Sequence, residues 1–345
     1  MSGVFLDWAA TSPIVRFPID TSKQWRNPNA AYAYEERKVL MDCEERIKAA
    51  IGVKGGHVLY FRCATEAIEW LVGDIGGRAH SPYEHDACTL GVEIAPEKVV
   101  AADFYIHQWV NHITGEIFDL NTIRSQLVAT CKLIVDATAG FGKAKLPSDL
   151  DNIADALFMS GHKIGCPELS FMWLSDTLCE WLGAAKDIRN QWGLHHGSLS
   201  MASVMALTDA VEWACENGDR VDGHSVRLYV QMNDLLDKAR IEHYDVIEHH
   251  DVLEYQMFTC SINAIRLNGI NADALQQFLA SRGIYVGVGG SACSAAHDYR
   301  VLRAYGLTDG EASEVIRVSF GDETTASDIE ALVEGIKEYK ERFIV

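Results

Sequence analysis

Short apolar runs bounded by turn residues recur through the first half of the chain with helical patterns between them, and this alternation constrains the fold more than any other feature. His57-Val58-Leu59-Tyr60-Phe61, Lys98 to Ala102, Lys132-Leu133-Ile134-Val135-Asp136 and Ala156-Leu157-Phe158-Met159 read as strands. Tyr32 to Ile51, with apolar residues at helical spacing among Glu and Lys pairs, and Ala64 to Ile75 read as helices. Such alternation predicts an α/β fold with a mainly parallel sheet covered by helices on both faces. Two long helical stretches follow, Met201 to Glu216 and Gly223 to Arg240. After them come shorter elements: His243 to Glu248, Thr259 to Leu267, Asp273 to Ser281, Gly283 to Gly287, Val315 to Phe320 and Ala326 to Phe343. The change predicts a large domain over 14–240 and a smaller α+β domain built from 1–13 and 241–345. With 345 residues, 48% of them hydrophobic, the chain can bury a core in each.

A formal charge of -19 disfavours a groove that tracks nucleic acid, which needs clustered Lys and Arg, and fits docking to basic partners. No apolar run reaches membrane-spanning length, and the opening residues Met-Ser-Gly-Val-Phe-Leu-Asp carry no basic, apolar signal region. The expectation is a soluble, cytoplasmic protein. Nine cysteines occur without a C-x-x-C pair, so neither a metal site nor a dithiol is signalled, and most are expected to be reduced and buried.

In parallel α/β sheets, ligands gather at the C-terminal strand ends. The run Ala156 to Met159 breaks there into Ser160-Gly161-His162-Lys163. An amine beside a strand end, partly desolvated, can condense with an aldehyde such as pyridoxal phosphate (PLP). Taken alone, Lys163 reads equally as a surface charge. Asp136 also stands at a strand end, where it could keep a pyridine nitrogen protonated, or serve only as a turn residue. Ala64-Thr65 opens a helix whose N-H groups favour a phosphate, with an ordinary N-cap as the alternative. Cys293 lies in a run of small residues, Gly287-Val288-Gly289-Gly290-Ser291-Ala292-Cys293-Ser294-Ala295-Ala296, which suits a reactive thiol on a loop.

Taken in order, Leu-Asp-Trp-Ala-Ala-Thr-Ser-Pro, Ala-Thr-Glu, Glu-His-Asp-Ala, Ser-Gly-His-Lys, Gly-Ser-Ala-Cys-Ser-Ala and Ile-Arg-Val-Ser-Phe-Gly resemble the class V aminotransferases and, within them, the NifS/IscS-type cysteine desulfurases. The resemblance covers nearly the whole chain. It implies fold type I of the PLP-dependent transferases, with a mainly parallel seven-stranded sheet in the large domain. It also implies a homodimer that passes sulfur from L-cysteine, through a persulfide on Cys293, to a protein acceptor, with L-alanine released. Iron-sulfur assembly, tRNA thiolation and DNA phosphorothioation are the pathways it suggests. By resemblance, Lys163 would hold the cofactor covalently and move protons, His85 would stack on its ring, and Asp136 would pair with the ring nitrogen. Asn111 would stand near the ring hydroxyl and substrate. Ala64, Thr65, Ser160 and His162 would hold the phosphate, with Ser198 reaching it from the partner subunit. Arg317 would grip the substrate carboxylate. The chain departs from the pattern at Ala139, where relatives have a glutamine, at Trp192 to Ser198 in place of an Arg-x-Gly-Thr stretch, and at Ile164 to Ser170 in place of a glycine-rich one. The alternatives are another PLP lyase or selenocysteine lyase of this fold, and a non-catalytic scaffold in a sulfur-transfer complex.

Overall fold

The computed structural model describes residues 3–72, 78–89, 91–95, 98, 102–166, 169–247, 258–289 and 299–344. The first half of the chain contains β1 (Val4–Leu6), α1 (Tyr34–Ile51), β2 (His57–Phe61), α2 (Ala64–Val72), β3 (Arg78–His80), β4 (Val92–Glu93), β5 (Phe104–Gln108) and α3 (Leu120–Gln126). It continues through β6 (Lys132–Asp136), α4 (Leu150–Ile153), β7 (Ala156–Ser160), β8 (Ser170–Leu174) and α5 (Asp176–Leu182) to the long α6 (Met201–Lys238). One sheet has seven strands in the order β2-β8-β7-β6-β5-β3-β4. Neighbours from β7 to β4 are parallel, while β8 runs antiparallel to both β2 and β7. Alternate side chains of the central strands bury on opposite faces. Leu133, Val135, Leu157 and Met159 join a core that includes Leu40 and Ile47 of α1 and Val204, Leu207 and Val211 of α6. Ile134, Phe158, Phe104 and Ile106 join Ile68 and Leu71 of α2 and Leu178 of α5. A parallel strand buried on both faces reads as a continuous apolar run, which is why β6 and β7 are evident in the sequence.

Three elements differ from the sequence-based expectations. The strand expected at 98–102 has its residues 99–101 outside the described residues; β5, Phe104–Gln108, is not singled out in the sequence, and all five of its residues are buried. His107 and Gln108 interrupt its apolar pattern, yet both are hydrogen-bonded inside the fold. The hairpin strand β8 follows a turn whose residues suggest only a loop. The two helical stretches after residue 200 are one helix of 38 residues. Gly218, in the middle, does not break it: a Cβ there would stand 2.8 Å from the Ala144 carbonyl oxygen, so the missing side chain lets a loop pass close to the helix.

The last third contains β9 (His243–Asp245), β10 (Ile262–Leu267), α7 (Ala272–Ala280), β11 (Ile284–Val288), α8 (Arg300–Ala304), α9 (Asp309–Ala312), β12 (Val315–Ser319) and α10 (Ala326–Phe343). A second sheet, ordered β1-β11-β12-β10-β9, takes its edge strand from the start of the chain. Its core joins Leu6, Ile265, Ile316 and Val318 to Ile329 and Leu332 of α10 and to Leu228, Met232 and Leu236 from the far half of α6. The single long helix thus contributes to both cores. Among the described residues, no helix is long and apolar enough to cross a membrane.

Candidate active site

The chain ends of β6 and β7 open into a cavity of about 150 Å³ lined by residues from α2, the turn after β3, β6, β7 and the loops that follow. Lys163 reaches it from a short 3-10 turn, Gly161–Ile164, directly after β7. Gly165 closes that turn at φ +84°, a left-handed conformation that favours glycine, and its carbonyl accepts the N-H groups of Arg16 and Phe17. A tight turn held from both sides gives the half-buried lysine a defined direction.

Asp136, at the end of β6, lines the same cavity. Its Oδ1 accepts the Thr138 N-H at 2.8 Å, and its Oδ2 faces the Cys88 thiol at 3.7 Å. His85 caps a 3-10 turn by accepting the Ala87 N-H on Nδ1 at 3.1 Å, which places the ring hydrogen on Nε2. Burial, and next the Lys163 ammonium, depress its pKa and favour that neutral form. At the other end of the cavity, Ser160 accepts a hydrogen bond from the Ser170 hydroxyl at 3.2 Å, and His162 Nδ1 lies 3.0 Å from the Thr11 hydroxyl. Desolvation, then the ammonium groups of Lys163 and Lys143, pull His162 down to about 4. Ala64 and Thr65 line this end from the first turn of α2. The N-terminal dipole there suits an anion.

Asn111 does not line the cavity. Its Oδ1 accepts the N-H groups of Ile113 and Thr114 at 2.9 and 3.0 Å and so shapes the turn, while its buried Nδ2 has no partner. The neighbouring His112 lines the wall instead. Gln108 donates its amide N-H to the Tyr83 carbonyl, so its Oε1 is left to accept from His112 Nδ1 at 3.1 Å. This leaves His112 Nε2 as a bare acceptor, in a ring whose pKa burial drives far down. The His112 and His85 rings meet edge to face with centroids 5.1 Å apart.

Arg317, from β12, is fully buried and does not line the cavity. It donates to the His112 carbonyl at 2.9 Å and to Asp7 Oδ1 at 2.6 Å, and its Nε has no partner. Ser198 is exposed, accepts from Asn27 Nδ2 at 3.0 Å and stands off the cavity of its own chain. Its segment is held by a left-handed turn at Asn190, Gln191 and Trp192, with Gln191 Oε1 accepting the Tyr60 N-H at 2.6 Å and Gln191 Nε2 meeting His195 Nδ1 at 2.8 Å. Cys293 lies outside the described residues. The flanks of its segment are anchored: Gly289 N-H donates to the Val315 carbonyl at 2.7 Å, and Arg300 donates to the carbonyls of Pro82 and Glu84 at 2.8 and 2.5 Å.

Sequence reasoning missed four groups. His112 is one. Thr138 lines the cavity with a buried hydroxyl that has no partner. Lys143 is buried, shares a small adjoining cavity with Lys163, and is pushed down to about 7, first by desolvation and then by the charges of Lys163 and Arg317. Behind Asp136 stands Glu84, fully buried, and the ligating atoms of Glu84, Cys88 and Asp136 lie within 4.8 Å of one another. His112 and Lys143 gain their place from tertiary packing, whereas Glu84 and Thr138 stand beside motif residues that draw the attention first.

The arrangement fits PLP. It offers an amine on the wall, a carboxylate at a strand end, an aromatic ring beside it, an anion-favouring helix start, and an orphaned hydroxyl with capacity to spare. The sequence profile of the family described as aminotransferase class-V matches residues 97–332. The chain belongs to the class-V aminotransferase family. Within it, the chain is 23% identical to a putative cysteine desulfurase NifS of Halalkalibacterium halodurans over 98% of each protein. It is 28% identical to the cysteine desulfurase IscS of Shewanella pealeana over 66% of this chain and 55% of that one. Among solved structures, a NifS-like protein superposes with a TM-score of 0.80 at 19% identity, covering 98% of this chain and 99% of the other. A NifS-like protein from Rickettsia africae gives 0.78 at 17%, with the same coverage. This class-V member therefore shares the architecture of those solved structures.

Proposed function

We propose that this chain is a PLP-dependent cysteine desulfurase, converting L-cysteine to L-alanine and passing the sulfur through Cys293 to an acceptor. The observation that carries the reading is the convergence of Lys163, Asp136 and His85 on one cavity that Ala64, Thr65, Ser160 and His162 also line, with the start of α2 favouring a phosphate. Bound there, the cofactor supplies an electron sink that makes loss of the substrate α hydrogen feasible. Asp136, whose Oδ1 takes the Thr138 N-H, would accept a hydrogen bond from a protonated ring nitrogen. Lys163 Nζ would hold the cofactor and would be the base for the substrate α hydrogen. His85 presents a neutral ring with its Nε2-H available to a bound group.

The sulfur step balances without an external oxidant. The Cys293 thiolate attacks the substrate sulfur, the carbon-sulfur bond breaks towards carbon, and a proton completes alanine, leaving Cys293 as a persulfide. A free thiol has a pKa of about 8.5, so its proton must be removed locally before attack. Arg317 is the cation assigned to the substrate carboxylate in this reading; its Nε has no partner, and binding there would require Asp7 to give up Nη2. Dimer formation would bring Ser198 of one subunit towards the phosphate end of the other. A soluble, cytoplasmic enzyme with a protein acceptor completes the proposal.

Product analysis tests it. L-cysteine should yield alanine and, with a thiol reductant, sulfide in equal amounts. Pyruvate would assign the chain to elimination chemistry on the same fold, and turnover confined to selenocysteine would assign it to a selenocysteine lyase.

A further inference from the structure

Two carboxyl groups stand together beneath the cavity, and the desulfurase reading uses only one of them. Glu84 follows β3 and is fully buried. Its Oε1 accepts the backbone N-H of Gln108, and its Oε2 is buried without a partner. A carboxylate oxygen so placed is costly, because it has lost water and gained no donor. The ligating atoms of Glu84, Asp136 and Cys88 lie within 4.8 Å of one another. The charged and titratable groups facing Glu84 are Asp136 from β6, Cys88 from the adjacent 3-10 turn and Arg300 from α8. Arg300 directs its described hydrogen bonds to the carbonyls of Pro82 and Glu84, not to the Glu84 carboxyl.

Two buried carboxylates this close disfavour double ionisation, because each raises the cost of charging the other. Asp136 accepts the Thr138 N-H at 2.8 Å and the Cys88 thiol at 3.7 Å and borders the cavity; the same thiol also leans on Glu84, which does not border the cavity and whose Oε2 has no partner. We propose that Glu84 and Asp136 form a buried acid pair that holds one proton, carried on Glu84 Oε2, so that Asp136 presents a single negative charge to a cationic ring nitrogen. Glu84 is then a positioning residue that acts through Asp136. A proton on Oε2 gives the orphaned oxygen a hydrogen to offer, and an Asp136 carboxylate oxygen lies within 4.8 Å of the Glu84 carboxyl. Desolvation first, and the Asp136 charge second, raise the Glu84 pKa well above the ordinary carboxyl range, in keeping with this assignment. The proposal rests on the PLP reading for its purpose but not for the existence of the pair.

Infrared difference spectroscopy of the purified protein at neutral pH tests it. The expected result is a protonated-carboxyl band that is absent in Glu84→Gln and shifts when PLP is added. Because glutamine reproduces a neutral Glu84, Glu84→Gln should keep PLP affinity within about threefold, less than the tenfold that each ~1.4 kcal/mol represents. Absence of the band, its persistence in Glu84→Gln, or a loss of affinity beyond tenfold would overturn the pair. Should the variant fold poorly, carbon NMR of the wild-type protein labelled at glutamate carboxyls decides the matter. One glutamate must remain protonated at pH 7, and none doing so is the contrary result. If the band appears but PLP does not bind, the pair stands and the cofactor reading fails.

Discussion

Lys143 carries the sharpest residue-scale prediction. Its folded pKa is about 7, against an ordinary value of 10.5, because the ammonium is buried beside two other cations. The unfolded chain therefore binds more protons between those values, so stability rises with pH across that window and the penalty is complete below pH 7. Lys143→Met should raise the melting temperature by ~2 °C or more at pH 7, with the gain shrinking towards pH 10.5; calorimetry at several pH values measures it. A gain independent of pH would show that the ammonium is not the cause. Lys163 and Asp136 were legible in the sequence as residues at strand ends, and His85 only through the family resemblance; the three line one cavity. His112, Lys143 and Glu84 were not, because their importance comes from burial against groups far along the chain. Asn111, expected near the ring hydroxyl and substrate by resemblance, shapes the turn beside the cavity, and the neighbouring His112 lines the wall.

The 3-10 turn that carries Lys163 depends on Gly165. An alanine there would have to adopt φ +84°, with its Cβ 3.0 Å from both the Ile14 carbonyl oxygen and the Arg16 Cβ. Gly165→Ala should cost on the order of 1–2 kcal/mol and weaken PLP retention as the turn shifts; denaturant unfolding and dialysis measure the two. At the edge of the second sheet, Asp7 meets the buried Arg317 guanidinium at 2.6 Å. Asp7→Asn would leave that cation without its charge partner, and a loss of roughly 3 kcal/mol is expected from the same unfolding experiment. A change below ~0.5 kcal/mol would mean that Arg317 finds another partner. The elements themselves were legible where a strand is apolar throughout, as in β6 and β7. They were hidden where buried polar residues break the run, as His107 and Gln108 do in β5. The continuity of α6 was hidden too, because Gly218 imitates a helix stop while serving a close approach to Ala144.

At the scale of the molecule, two sheets are tied together by α6 and by the opening strand, which crosses to the far sheet before the chain enters the near one. The cavity lies at strand ends of the seven-stranded sheet, while Arg317 and the flanks of the Cys293 segment belong to the C-terminal part. Under the proposed function, sulfur transfer would ask the two parts to cooperate across that boundary. The most direct test is an absorbance spectrum of the purified protein before and after L-cysteine, with the protein then mapped by mass spectrometry. The account predicts a visible cofactor band that is lost in Lys163→Ala, and one extra sulfur on Cys293 after L-cysteine. Cys293→Ala should keep the band and release no sulfide. Full sulfide release without Cys293, or a protein that takes up no PLP at all, would contradict it.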